Sequence, residues 1–244
     1  LVVAHDGNGR ATASVAWPTM VFNAIAAESL DYMATELEKA AGNNPTPAKL
    51  QTAVLGVLKK VLKEHKRIVF DGDGYSQDWH KEAEKRGLPH LRDSVEAFPV
   101  LKAKKTVDLF KKYGALNKAE VDSRYHISVE KWVKQLTIEA EMMVSIARTQ
   151  ILPAALKHQT LIAEAATATE AAGVDCEDTV QALEQFTGLV TDLRTSLATL
   201  ESAVAHEDAD PIKHAQQIKT KVRPAMAVLR TAVDTLETHV DASL

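Results

Sequence analysis

The stretch Leu136–Ala147, LTIEAEMMVSIA, decides the fold class. It lies inside a longer run from Ser128 to Ala172 that holds no glycine and a single proline, Pro153. Val133, Leu136, Ala140, Met143 and Ala147 recur at spacings of three and four, the period of an α-helix. Ile138, Met142 and Ile146 make a second apolar stripe beside the first. Two adjacent stripes imply a hub helix packed on more than one side. Pro153 should kink it, because proline lacks an N–H and its ring crowds the carbonyl four residues earlier.

Outward from the hub, the last seventy residues carry the most regular pattern. Leu183, Phe186, Val190, Leu193, Leu197, Leu200 and Val204 alternate threes and fours, and Ile218, Val222, Ala225, Leu229, Ala232, Leu236 and Val240 do so until the last step. Such a heptad seam, with only Glu207-Asp208-Ala209 between the two helices, implies an antiparallel return. Asp175 with Asp178 should cap the first of these helices. Asp210-Pro211 should open the second, and Pro224 should bend it.

Before the hub, Pro18 should open a helix to about Ala41, with Val21, Ile25, Leu30, Met33 and Leu37 inward. Thr46-Pro47 should open another to about Lys66, burying Leu50, Val54, Val57, Leu58, Val61 and Leu62. These two should form a hairpin. Ile68-Val69-Phe70 reads as a short buried extended segment, and Asp71-Gly72-Asp73-Gly74 as a turn. Ser76 should cap a helix through Arg86, with Gly87 closing it. Pro89 and Pro99 should keep the next stretch irregular before a helix at about 103–113. Asn117 with Glu120 is a capping pair leading into the hub. The expected architecture is all-α: a helical hairpin, a long kinked central helix and an antiparallel, coiled-coil-like three-helix bundle. Its divisions are an irregular segment 1–16, a helical body 17–174 and a heptad pair 175–244 resting on the central helix.

Composition agrees. Hydrophobic residues are 45% of the 244 and aromatics 5%, a mix that suits helices better than a β-sandwich. From Asp175 onward there are 6 Lys and Arg against 12 Asp and Glu, so this end carries −6 and residues 1–174 carry +2. No basic footprint for nucleic acid emerges. The longest uncharged run, Ala11–Ala27, is broken by Pro18, Asn23 and several hydroxyls, and reads as neither a membrane span nor a signal peptide. Cys176 is the one cysteine and has no internal partner, which fits a reducing cytoplasm. The chain opens on Leu1 rather than Met, which suggests a fragment.

Local spacing proposes no chemistry. The nine histidines never stand four apart, and none has an acidic residue three positions before it, as a di-iron bundle requires. His80 with Glu84 reads as a surface pair. A calcium loop starting at Asp71 would place Tyr75 and Ser76 where an oxygen ligand and a glycine belong. A phosphate cradle, a nucleophile elbow and a dinucleotide fingerprint are all missing from the sequence. The expectation is therefore no catalytic, cofactor-binding or metal residue in this chain.

Two stretches carry a resemblance. SVAWPTMVFNAIAAESLDYM (Ser14–Met33) is similar to the segment that follows the catalytic barrel of type III glutamine synthetases. FDGDGYSQDWHKEAEKRGLP (Phe70–Pro89) is similar to the block NGDGYS..WH.EAE.RGLP of the same family. Arg124-Tyr125, Glu139-Ala140 and Pro153-Ala154-Ala155 extend the likeness to about Ala165. The resemblance implies an enzyme that joins ammonia to glutamate with ATP and Mg or Mn, through a γ-glutamyl phosphate, in ring-shaped oligomers. It also implies that the metal-binding glutamates and nucleotide loops lie upstream of this segment. The family's last catalytic motif, GN.FEFRAVGSS, should fall just before Ser14, where this chain has Gly7-Asn8-Gly9-Arg10 instead. Arg10 stands where a displaced remnant of the substrate-binding arginine would fall. The phenylalanines and glutamate around it are absent, and the role is not carried over.

The expectation is thus a cytoplasmic C-terminal portion, incomplete for catalysis alone. Its helices would support the catalytic portion and contact other subunits of a homo-oligomer, with no nucleic-acid or membrane partner. The alternative is a free-standing helical module that binds a protein partner. A cryptic metal- or nucleotide-binding domain is the third reading.

Overall fold

A computed structural model describes residues 15–206 and 208–241. They are mainly helical, with no strand among them. The chain divides into two compact units, one ending at Tyr125 and the other beginning at His126.

The first unit opens with the hairpin of α1 (Ala16–Ala41) and α2 (Pro47–His65), which pack on one another. Gly42 (φ 71°) ends α1, and Thr46 caps α2 by accepting the Lys49 amide with Pro47 at the first helical position. Lys60 Nζ reaches Glu36 at 2.7 Å and ties the two helices, holding the Glu36 carboxyl below its ordinary range. Val57 is buried as expected, but most of the inward positions differ from the sequence expectation. Ala24, Ala41, Ala53 and Val57 are buried, whereas Ile25, Leu30, Leu50, Leu58 and Leu62 are exposed.

A 3-10 turn at Lys66–Ile68 follows, then α3 (Gln77–Lys85), α4 (Ser94–Lys102) and α5 (Lys104–Lys112). The triplet Ile68-Val69-Phe70 is not a buried extended segment. Ile68 lies in the 3-10 turn, and all three residues are exposed. Nor is the stretch after Pro89 irregular throughout, because α4 accommodates Pro99. Asp93 accepts the Glu96 amide at 3.0 Å while Glu96 reaches back to the Arg92 amide at 2.9 Å. Those bonds satisfy amides at the start of α4.

Phe110 of α5 packs with Ala24, Leu116 and Val121 into the buried centre of this unit, edge-on to Trp17 at 6.0 Å. Lys112 Nζ donates to Glu28 at 2.7 Å and to Asp31 at 2.8 Å, and the Tyr113 hydroxyl donates to Glu28 at 2.7 Å. Hydrogen bonds from Lys112 and then Tyr113 hold both carboxyls below their usual range.

The central helix starts earlier than the apolar stripes suggest. α6 (Lys118–Ile146), a π turn at Ala147–Ile151 and α7 (Leu152–Ala171) form one continuous 54-residue kinked helix. Asn117 and Glu120 form the expected box: Asn117 Oδ1 accepts the Glu120 amide at 3.0 Å, and Glu120 accepts the Asn117 amide at 2.7 Å.

In the second unit, Val129, Val133, Ala140, Ala147, Ala155 and Ala166 are its buried positions, with Leu136 and Met143 half-buried between them. The second stripe is not covered. Ile138, Met142 and Ile146 are 61%, 55% and 38% exposed, so the hub buries one face there rather than two.

α8 (Glu177–Val204) packs on α7 and on α10 (Arg223–Glu237), which is reached through α9 (Pro211–Gln217) and a second π turn, Ile218–Val222. Arg148 Nε bonds Glu201 at 2.9 Å while Gln159 bonds Thr187 at 3.0 Å, so α8 runs antiparallel to the central helix. The capping of α8 differs from expectation. Asp175 accepts the Glu177 amide at 3.1 Å, but Asp178 accepts from the amide and hydroxyl of the adjacent Thr179, and Cys176 holds the cap position. Phe186, Val190, Leu193, Leu197 and Leu200 are buried as their heptad spacing requires. On α10 the buried series is Ala225, Leu229, Val233 and Leu236, so Val233 takes the place expected of Ala232. Asp210 caps α9 by accepting the Ile212 amide at 2.9 Å.

Candidate functional site

The Phe70–Pro89 block that carries the family resemblance folds into a turn and helix cross-braced by side chains. Asp73 Oδ1 accepts the Tyr75 amide at 2.9 Å, and the Ser76 hydroxyl donates to the Asp73 carbonyl at 2.8 Å. Ser76 Oγ in turn accepts the Trp79 amide at 3.1 Å and starts α3. Asp73 therefore shapes the turn, and Tyr75 projects from its tip almost wholly into solvent.

Phe70 stacks on Trp79 with ring centres 4.3 Å apart, and the Arg86 guanidinium lies 5.6 Å from the centre of the Trp79 ring. Arg86 also donates to the Val69 carbonyl at 2.8 Å and to Glu82 at 2.7 Å. That hydrogen bond holds the Glu82 carboxyl below its ordinary range. Gly72 leaves room for the Phe70 ring, because a Cβ there would come within 2.8 Å of it and the ring would have to move. Gly87 (φ 68°) closes α3 with both bonds of a Schellman turn, Gly87 amide to Glu84 carbonyl and Leu88 amide to Ala83 carbonyl.

This turn folds the following strand of sequence back along the helix. His90 consequently meets His80, with ring centres 4.6 Å apart. The sequence pairs His80 with Glu84 one turn away. A search by helical spacing misses a partner ten residues on, since that meeting depends on where Gly87 reverses the chain.

No group of three or more His, Cys, Asp or Glu able to hold an ion occurs among the described residues. The donor set does not fit the carboxylate-bound magnesium nucleotide of a ligase, whose hard cation requires several oxygen ligands together. Arg10 lies outside the described residues. None of the described helices is long and apolar enough to cross a membrane.

Residues 53–170 match the glutamine synthetase C-terminal domain. They include the Phe70–Pro89 block and most of the central helix. Within that class the chain resembles the type III enzymes. It is 37% identical over 150 residues to the type-3 glutamine synthetase of Dictyostelium discoideum, a match covering 62% of this chain and 20% of that protein. It is 38% identical over 102 residues to a glutamine synthetase of Butyrivibrio fibrisolvens, covering 42% of this chain and 15% of that one. With a glutamine synthetase of Bacteroides fragilis it shares 24% identity over 197 residues, 78% of this chain and 27% of the relative. The chain thus spans no more than 27% of the length of these relatives.

Proposed function

We propose that this chain is the C-terminal helical portion of a type III glutamine synthetase, acting in the cytoplasm. In this reading it does not form glutamine alone. It supports the catalytic barrel and the assembly of subunits into a homo-oligomer. The observation that carries the reading is the match of residues 53–170 to the glutamine synthetase C-terminal domain.

Two physical features support the scaffold role. Several carboxylates of the described residues, such as Asp93, Glu120, Glu28 and Asp31, are spent on caps and ion pairs, and none gather in a group of three able to hold a cation. Large apolar side chains also stand uncovered in both units, including Phe22, Leu30, Leu55 and Leu62 in the first and Ile138 and Met142 in the second. Exposed faces of this kind are contact surfaces for other protein. ATP and divalent metal belong, in this reading, to the barrel.

A glutamine-forming assay on the isolated chain, with glutamate, ammonia and magnesium ATP, tests the first half. No turnover is expected, and measurable turnover overturns it. Sedimentation of the chain alone and mixed with the barrel portion of a type III enzyme tests the second half. A joint complex is expected, and unchanged sedimentation favours the free-standing module instead.

A further inference from the structure

We propose that His80 and His90 form a two-imidazole binding site for a borderline transition-metal ion of the Zn2+, Ni2+ or Cu2+ class. The two rings come from different elements, α3 and the segment after its closing turn, and their centres lie 4.6 Å apart with the planes tilted by 32°. A metal held about 2.1 Å from one nitrogen of each ring separates the ring centres by about 4.5 Å when the two bonds meet at a right angle and by about 5.2 Å at the tetrahedral angle. The observed 4.6 Å lies at the right-angle end of that range, close enough for both rings to reach one ion.

Both imidazoles are carried by pinned backbone. The His80 amide bonds the Ser76 carbonyl at 3.2 Å, and the Schellman bonds at Gly87 and Leu88 fix how the chain returns toward His90. A pair already in place loses little conformational freedom on binding. His80 is half-buried and His90 exposed, so an ion has access from solvent.

The ligand type sets the metal class. Imidazole nitrogen favours zinc, nickel and copper, whereas magnesium and calcium take oxygen. Water completes the coordination, since no third ligand of the His, Cys, Asp or Glu type joins the pair among the described residues. The proposal stands or falls independently of the scaffold reading.

The test uses the full chain with Cu2+ as paramagnetic probe and Zn2+ as titrant. Substoichiometric Cu2+ should broaden the imidazole resonances of His80 and His90 before those of the exposed His65 and His126. In calorimetry, Zn2+ should bind His90→Ala at least about tenfold more weakly than the unaltered chain, while His65→Ala binds unchanged. Even broadening across the histidines, or equal Zn2+ affinity in His90→Ala, overturns the proposal. His90 is at the surface, so its variant should keep the helical circular dichroism of the parent. Should His80→Gln fail to fold, His90→Ala and the broadening pattern still decide.

Discussion

The Leu152 amide donates to the Ala147 carbonyl, five residues back rather than four. The cause is one residue further on. Pro153 has no N–H for the Thr149 carbonyl, and its ring crowds that oxygen, so the helix widens into a π turn just before it. The extra residue also shifts the register. Ala140 and Ala147 are seven apart, but the next fully buried position is Ala155, eight further on. A helix that ignored the proline would rotate Ala155 off the face it shares with Ala147. Amides at 149–152 should therefore exchange with deuterium faster than those at 138–142 and 160–164. Peptide-resolved hydrogen exchange checks this, and uniform protection across 138–164 would contradict it.

The heptad seam of α8 should behave as a packed core. Leu193 and Leu200 are 0% exposed, so Leu193→Ala should lower stability by about 2–5 kcal/mol, the usual cost of a large-to-small change in a core. Val228 sits on the outer side of α10 and is exposed, so Val228→Ala should stay within about 0.5 kcal/mol. Urea unfolding followed by circular dichroism at 222 nm (a far-ultraviolet helix signal) reads both. Equal midpoint shifts would mean that the seam is not packed.

Gly72→Ala should disturb the Phe70–Trp79 stack. A Cβ at position 72 would sit 2.8 Å from the Phe70 ring, too close for ordinary contact, so the ring must swing away. The expected result is a changed tryptophan fluorescence and near-ultraviolet spectrum. The stability loss should be about 1–3 kcal/mol, the range for overpacking. Gly74→Ala meets nothing within 4 Å and serves as the control.

Acid should loosen the α1–α5 contact. Glu28 and Asp31 have carboxyl pKa values lowered first by hydrogen bonds from Lys112 and then by those from Tyr113. Folding therefore favours their ionised forms. The stabilisation is fully present above the ordinary carboxylate range and is lost as pH falls through the lowered folded values. Lys112→Ala should bring both carboxyls toward their usual range, as read by carbon-13 titration of the side chains. Unchanged titration curves in the variant would show that the pairing does not form in solution.

Asn117 with Glu120, Thr46 with Pro47, Ser76, and the glycines at 42, 87, 114 and 173 are legible from sequence alone. Each acts through bonds to residues within a turn of itself. The all-α class and the α8 seam are legible for a related reason, because side-chain period follows directly from the geometry of one helix. The motif Phe70–Pro89 pointed to the family for the same local cause, since its glycines and caps are read within twenty residues. What sequence did not determine is which apolar face finds a neighbour. Ile138, Met142 and Ile146 share the period of a buried stripe and yet face solvent, as do Leu58 and Leu62, while Ala24 and Ala53 are buried instead. Only tertiary packing decided that: Ala24 is buried because Phe110, Leu116 and Val121 from later in the chain close over it. It also decided the meeting of His80 with His90, which is set by where the chain turns back and not by any spacing along one helix.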